Sequence, residues 1–175
     1  IGADYWGIIL SYNGNTWKQL NIDQIRTGFS YIKNSNNNKI YLLGLTTEQT
    51  TESRYQFYEY DGSILKEIYS GSQSNNAENG RLLQLGSKTY FIIGYDFYNY
   101  NGQTFIKIGR LSDDQRFLNA GIGRNEKDIF LGMRDGIAHY NGENTIYLYR
   151  TTENIFVRKG ILFEKEVFFL GRDIN

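Results

Sequence analysis

Short apolar runs, broken by Gly- and Asn-rich punctuation, fill this chain, and four of them end alike. ILSYNG at 9–14, FYEYDG at 57–62, FYNYNG at 97–102 and IAHYNG at 137–142 each run into Tyr, then Asn or Asp, then Gly. Alternation over a few residues is the period of a half-buried strand. An Asn-Gly or Asp-Gly pair after such a run predicts a two-residue type I′ hairpin, because both central positions need positive φ. Four further stretches, KIYLLG at 39–44, TYFIIG at 89–94, DIFLGM at 128–133 and EVFFLG at 166–171, are continuously apolar, as a strand covered on both faces would be.

The hairpin glycines Gly14, Gly62, Gly102 and Gly142 are 48, 40 and 40 residues apart, a period that suits a four-stranded unit. Each unit reads as strands A to D, clearest as GRLLQL at 80–85, TYFIIG, FYNYNG and QTFIKI at 103–108. Six residues beyond each hairpin Gly an aliphatic returns at Leu20, Ile68, Ile108 and Leu148, so strand D has its own register. The expectation is an all-β chain of about four blades of a β-propeller, each blade a four-stranded antiparallel sheet. The units are 1–22 (partial), 23–70, 71–110, 111–150 and 151–175 (partial), in one repeat domain spanning 1–175.

The ends repeat the same phase: IGAD at the start is similar to IIGYD at 92–96 and FLGRD at 169–173. Two arrangements follow. Either residues 155–171 and 4–20 join as one split blade and close a ring, or the chain is an excerpt of a larger propeller with further blades or domains in a longer parent. The second is the one expected here.

Composition narrows the classes of function. Sixteen per cent aromatic residues, 19 Gly and no Pro fit many short strands and tight turns. Nineteen basic against 19 acidic residues leave no net charge, which argues against nucleic acid as a partner. No apolar run approaches the roughly 20 residues of a bilayer-spanning helix, so direct membrane insertion is not expected. Without Cys there are no disulfides, thiolate metal sites or Cys nucleophiles.

DIFLGMRDGIAHYNG at 128–142 resembles bacterial propeller repeats with blades of the form D-I-F-x-x-G-x-x-G-I-x-x-Y-(D/N)-G, as found in two-component regulators and secreted propeller proteins. The resemblance implies an extracytoplasmic setting (secreted, periplasmic or at the cell surface) and an architecture, without an activity. The function expected here is a noncatalytic module for protein or glycan recognition or scaffolding; the alternative, which the resemblance suggests, is a periplasmic ligand-sensing segment of a two-component regulator. A glycan-active enzyme on the same scaffold is the remaining class.

Functional residues are expected where the units differ. The polar segments 45–56 and 69–80 are the longest connections, and insertions in repeat proteins tend to collect on one, often binding, face. They offer Thr47, Glu48, Thr51, Arg54, Asn75 and Asn76 as hydrogen-bonding groups, with Tyr55 and Tyr69 as contact aromatics outside the hairpin register. Solvated loops would read the same way. An acid recurs at the B-to-C turn as Asp4, Asp96, Asp135 and Asp173, beside Arg134 and Arg172. Asp96, Arg134 and Asp135 are therefore ligand candidates, although local Arg–Asp pairing and turn formation explain the same pattern, and no metal or other cofactor is expected. His139, the sole histidine, fills a strand C slot held elsewhere by Ser11, Glu59 and Asn99, which argues against catalysis.

Overall fold

The structure, a computed structural model, describes residues 9–20, 28–34, 39–47, 53–72, 80–111, 117–152 and 155–173. All of its regular structure is strand, in sixteen segments. They are β1 (Ile9–Tyr12), β2 (Trp17–Leu20), β3 (Gly28–Asn34), β4 (Ile40–Thr47), β5 (Ser53–Tyr60), β6 (Leu65–Ser72), β7 (Gly80–Leu85) and β8 (Lys88–Ile93). There follow β9 (Asp96–Tyr100), β10 (Phe105–Arg110), β11 (Phe117–Asn125), β12 (Asp128–Met133), β13 (Gly136–Tyr140), β14 (Thr145–Arg150), β15 (Ile155–Leu162) and β16 (Val167–Asp173). The all-β class expected from the alternation is the one observed.

Strands β3 to β6 form one four-stranded antiparallel meander. Two further meanders, β7 to β10 and β11 to β14, join through a parallel contact between β7 and β11 at Leu85 and Gly123, making an eight-stranded sheet curled into a half-barrel. Hairpins β1–β2 and β15–β16 are two separate two-stranded sheets among the described residues. The split sheet that ring closure would require is thus not formed.

Each Tyr-Asx-Gly segment makes its hairpin by a different turn from the one the dipeptide predicts. Tyr12 pairs with Trp17, Tyr60 with Leu65, Tyr100 with Phe105 and Tyr140 with Thr145, so four residues separate the strands. The Asx stands on the flank of the turn, where its side chain accepts two backbone N–H groups: Asn13 Oδ1 from Asn15 and Thr16, at 3.0 and 2.9 Å. Asp61, Asn101 and Asn141 repeat this. A side-chain acceptor satisfies N–H groups that a type I′ turn would pair otherwise. Only the following Gly takes φ of 96°, 101°, 95° or 100°, conformations that a side chain would strain. The tyrosine closes the device, its hydroxyl donating to the carbonyl of that Gly at 2.6 to 3.0 Å in all four hairpins.

The separate register of strand D also has a cause. Between β5 and β6 the pairing shifts from Phe57↔Tyr69 to Tyr58↔Glu67, leaving Ile68 as the extra residue of a bulge. Ile108 and Leu148 are the extra residues in β10 and β14. A bulge rotates the following side chains to the opposite face and increases the local twist.

Packing between sheets uses both faces. Ile9 meets Leu42 and Tyr58; Tyr41, Leu43, Tyr55 and Phe57 meet Leu82, Phe91 and Tyr100; Leu83, Tyr90, Ile92 and Phe97 meet Ile129, Leu131, Ala138 and Tyr140. Rings dominate the middle layer, with Phe91 edge-on to Tyr41, Phe57 and Phe105 at centroid distances of 4.9 to 5.1 Å. Each such ring contributes about 1.5–3 kcal/mol by burial.

Candidate functional site

In an antiparallel meander all B-to-C and D-to-A connections leave from one end. Three contacts orient the sheets alike. The β7–β11 contact is parallel. The Tyr55 ring near the start of β5 lies against Gly80 at the start of β7. Arg124 at the end of β11 donates to the carbonyls of Phe163 and Glu164 in the β15–β16 turn, at 3.0 Å each. The strand ends that carry Thr47, Ser53, Ser72, Gly80, Asp96, Arg110, Gly136 and Arg150 therefore gather on one face of the molecule.

Two ion clusters stand on that face. Asp96, at the start of β9, accepts from Lys107 Nζ at 2.7 Å and Arg110 Nη1 at 3.0 Å. Arg110 also lies over the Tyr95 ring, 5.5 Å from its centroid. In the next meander Asp135 accepts from the Tyr147 hydroxyl at 2.9 Å and pairs with Arg150 Nε at 3.5 Å, and Arg150 covers the Tyr147 ring at 4.0 Å. The cations are about half exposed, so each pair contributes at most about 1 kcal/mol. Chemically the face presents guanidinium and ammonium donors beside tyrosine rings. Between the clusters' strands, Arg81 on β7 is buried, and burial brings its guanidinium down to about 10, opposed by the nearby Tyr31 and Tyr95 hydroxyls; it stays charged at neutral pH.

The recurring turn acid is not one structural position. Ile93 pairs with Asp96, whereas Met133 pairs with Gly136, so Asp96 matches Gly136 and Asp135 matches Tyr95. The apolar B-strand landmark misleads for the same reason. Leu42, Phe91 and Leu131 share a register, but Gly44, Gly94 and Gly132 stand two, three and one residues beyond them. Asp96 and Asp135 are therefore not equivalent positions, and each pairs with a cation on the facing strand. The arginines that pair with these two acids are Arg110 and Arg150, across the sheet. Arg134 is an exposed turn residue beside Asp135, with its side chain at the surface of the same face.

The long connections are shorter than their composition suggests. β4 runs to Thr47, β5 starts at Ser53 and β6 continues to Ser72, because ladder hydrogen bonds extend through Thr- and Ser-rich sequence. Thr47 pairs through its backbone with Ser53, and Arg54 with Thr46 and Ser72. Glu48, Thr51, Asn75 and Asn76 lie outside the described residues. The two contact tyrosines are corrected: Tyr55 is 2% exposed and Tyr69 is half-buried, the two rings stacked at 5.9 Å beside Phe57. Gly71 and Gly80, whose missing side chains admit the Tyr55 ring, were the sequence signal for this.

A further constellation sits at the opposite end. His139 Nε2 lies 2.8 Å from Asp128 Oδ1, while Arg124 Nη1 donates to Asp128 Oδ2 at 2.7 Å. Phe130 packs on the imidazole with centroids 4.7 Å apart. Burial opposes ionisation of Asp128, but the Arg124 and His139 hydrogen bonds outweigh it and hold the carboxyl below its usual range. Asp128 and Arg124 are four residues apart and His139 lies across the sheet, so no sequence spacing announces the trio. Arg124 uses its second nitrogen to tie down the β15–β16 turn.

Comparison with protein-family models, with curated proteins and with solved structures finds no match for this chain.

Proposed function

We propose that this chain is a noncatalytic β-propeller segment whose B-to-C and D-to-A face recognises a glycan, as a binding or scaffold module of an extracytoplasmic bacterial protein. The observation that carries the reading is the gathering of both Asp–Arg–Tyr clusters on one face of three meanders that share an orientation. Parallel contact of innermost strands is the relation neighbouring blades have around a propeller axis, and β3 lies against β7 and β11 against β15 in the same order. Guanidinium planes stacked on tyrosine rings supply flat surfaces for sugar rings, and these guanidinium groups with the flanking carboxylates supply directional hydrogen bonds to hydroxyls. The lone histidine is engaged with Asp128 at the far end, away from this face.

The experiment is an array of neutral and acidic oligosaccharides probed with the purified chain and with Arg150→Ala and Tyr147→Ala. Retention without cleavage, lost in both variants, is the expected result. An array with no retained sugar sinks the glycan reading and leaves a protein surface as the ligand. Cleavage abolished by substituting an acid of this face would make the chain an enzyme.

A further inference from the structure

The three meanders present the same register positions at the recognition face and fill them with different charges. In β5–β6, Tyr58 pairs with Glu67 and Gln56 with Ser70. In β9–β10, Tyr98 pairs with Lys107 and Asp96 with Arg110. In β13–β14, Ala138 pairs with Tyr147 and Gly136 with Arg150. Each time a bulge residue, Ile68, Ile108 or Leu148, lies between the two pairs. That bulge decides the chemistry. Residues three apart on a regular strand point to opposite faces. The extra residue turns Lys107 and Arg110 onto one face, so both reach the same Asp96.

The residue just before the acid's position belongs to the same set. Tyr95 and Asp135 are equivalent there, since the carbonyl of each accepts the N–H that follows its partner arginine, from Leu111 and Thr151 at 2.8 Å. The second and third meanders then hold the same three groups, an Asp, an Arg and a Tyr under the guanidinium plane, with Asp and Tyr at exchanged positions. They differ by one side chain: the second adds Lys107, where the third has Gly136 in the acid's register position. The Asp135 set is balanced, one carboxylate with one guanidinium. The Asp96 set has two cations on one carboxylate. In the first meander the same positions hold no cation, and Gln56 Nε2 donates to Glu67 Oε2 at 2.7 Å.

Asp96 is saturated by its partners. Oδ2 takes Lys107 and Oδ1 takes Arg110, and its side chain is 17% exposed against 51% and 47% for the two cations. An ammonium carries three N–H donors, of which Asp96 takes one from Lys107. What this cluster turns to solvent is therefore cationic, and a second carboxylate would balance it.

We propose that the Asp96 cluster is a subsite for the carboxylate of an acidic sugar, so that the glycan is one containing uronate residues. This subsite presupposes glycan recognition by the same face. A planar carboxylate can meet the guanidinium fork of Arg110 and the ammonium of Lys107 together. Glu67 repels it from the equivalent place in the first meander, and the balanced Asp135 set offers it no unmatched charge.

Oligogalacturonate and oligoglucuronate, each beside its carboxyl-reduced counterpart, are titrated calorimetrically with the chain and with Lys107→Met and Asp96→Asn, circular dichroism checking that both variants fold. A uronate is expected to bind about tenfold more tightly than its reduced form, the scale of one hydrogen bond to a charged group. Lys107→Met should erase that margin. Asp96→Asn removes the competing carboxylate and should tighten uronate binding about threefold, the scale of an exposed charge pair. Equal binding of acidic and reduced sugars, a margin unmoved by Lys107→Met, or uronate binding lost in Asp96→Asn would overturn the carboxylate subsite and leave glycan recognition standing. Absence of binding to every sugar, acidic or neutral, would remove that recognition and the subsite with it.

Discussion

Replacing Gly80 by Ala should destabilise the fold, although Gly→Ala at an ordinary strand position stabilises by about 0.4–1 kcal/mol through the unfolded chain. A Cβ at Gly80 would lie 2.2 Å from Tyr55 Cδ2, 2.7 Å from Cε2 and 3.0 Å from Phe57 Cζ. The ring cannot swing away. On its other side a Cβ at Gly71 would stand only 2.4 Å from Tyr55 Cζ, and Tyr69 and Phe57 pack against it at centroid distances of 5.9 and 5.8 Å. Overpacking of this kind costs about 1–3 kcal/mol, and a clamped ring belongs near the upper end. With a urea m-value of about 2 kcal/mol/M, the unfolding midpoint should fall by about 1 M at unchanged slope. The assay is equilibrium urea unfolding of four proteins: wild type, Gly80→Ala, Tyr55→Leu and the double variant. Tyr55→Leu itself opens space and weakens the core. In that background the extra methyl has room, so the alanine should cost at least about 1 kcal/mol less than it does alone. A Gly80→Ala midpoint equal to wild type, or the same cost in both backgrounds, would refute the account of Tyr55 as a ring held between two glycines.

Two further outcomes follow from the hairpin and the histidine cluster. Tyr140→Phe removes the hydroxyl that donates to Gly142 from a nearly buried ring and should cost about 0.5–1.5 kcal/mol, whereas Tyr12→Phe, where water can take the carbonyl, should change little; thermal or urea unfolding of the pair checks this. Asp128 is depressed in the folded state, so it contributes stability above its unfolded value of about 3.9 and loses it as pH falls through the lower folded value. Asp128→Asn should therefore be less stable than wild type at pH 7, the gap should shrink progressively below about pH 4, and a pH-independent gap in urea midpoints would contradict the linkage.

Much of the fold was readable along the chain because it is made of local events. The strand predicted at 80–85 is β7, and the predicted B, C and D strands of that unit differ from β8, β9 and β10 by one or two residues. Tyr, Asx and Gly lie within three positions, and their turn is held by bonds two and three residues long, so the motif found all four hairpins. It did not find the turn type, which depends on the Asx side chain competing with the backbone for the same N–H groups. The candidate site was less legible. Asp96 and Asp135 look equivalent by spacing, yet a shift of one residue separates them, because a period counted in the sequence ignores where strands begin to pair. Arg110 and Arg150 were passed over since their acids are 14 and 15 residues upstream and meet them only across a sheet.

The sequence by itself determined the all-β class, the four hairpins and the alternation that gives each strand a buried face, since hydrophobic period and turn chemistry act within a few residues. Tertiary structure alone decided which polar and aromatic residues are available. Tyr55 is as polar-tipped as Tyr12, but one is enclosed by glycines from two neighbouring strands and the other is about half exposed. Burial depends on what arrives from elsewhere in the chain, and residues that close a core here, such as Tyr41 and Tyr100, are up to about sixty positions apart.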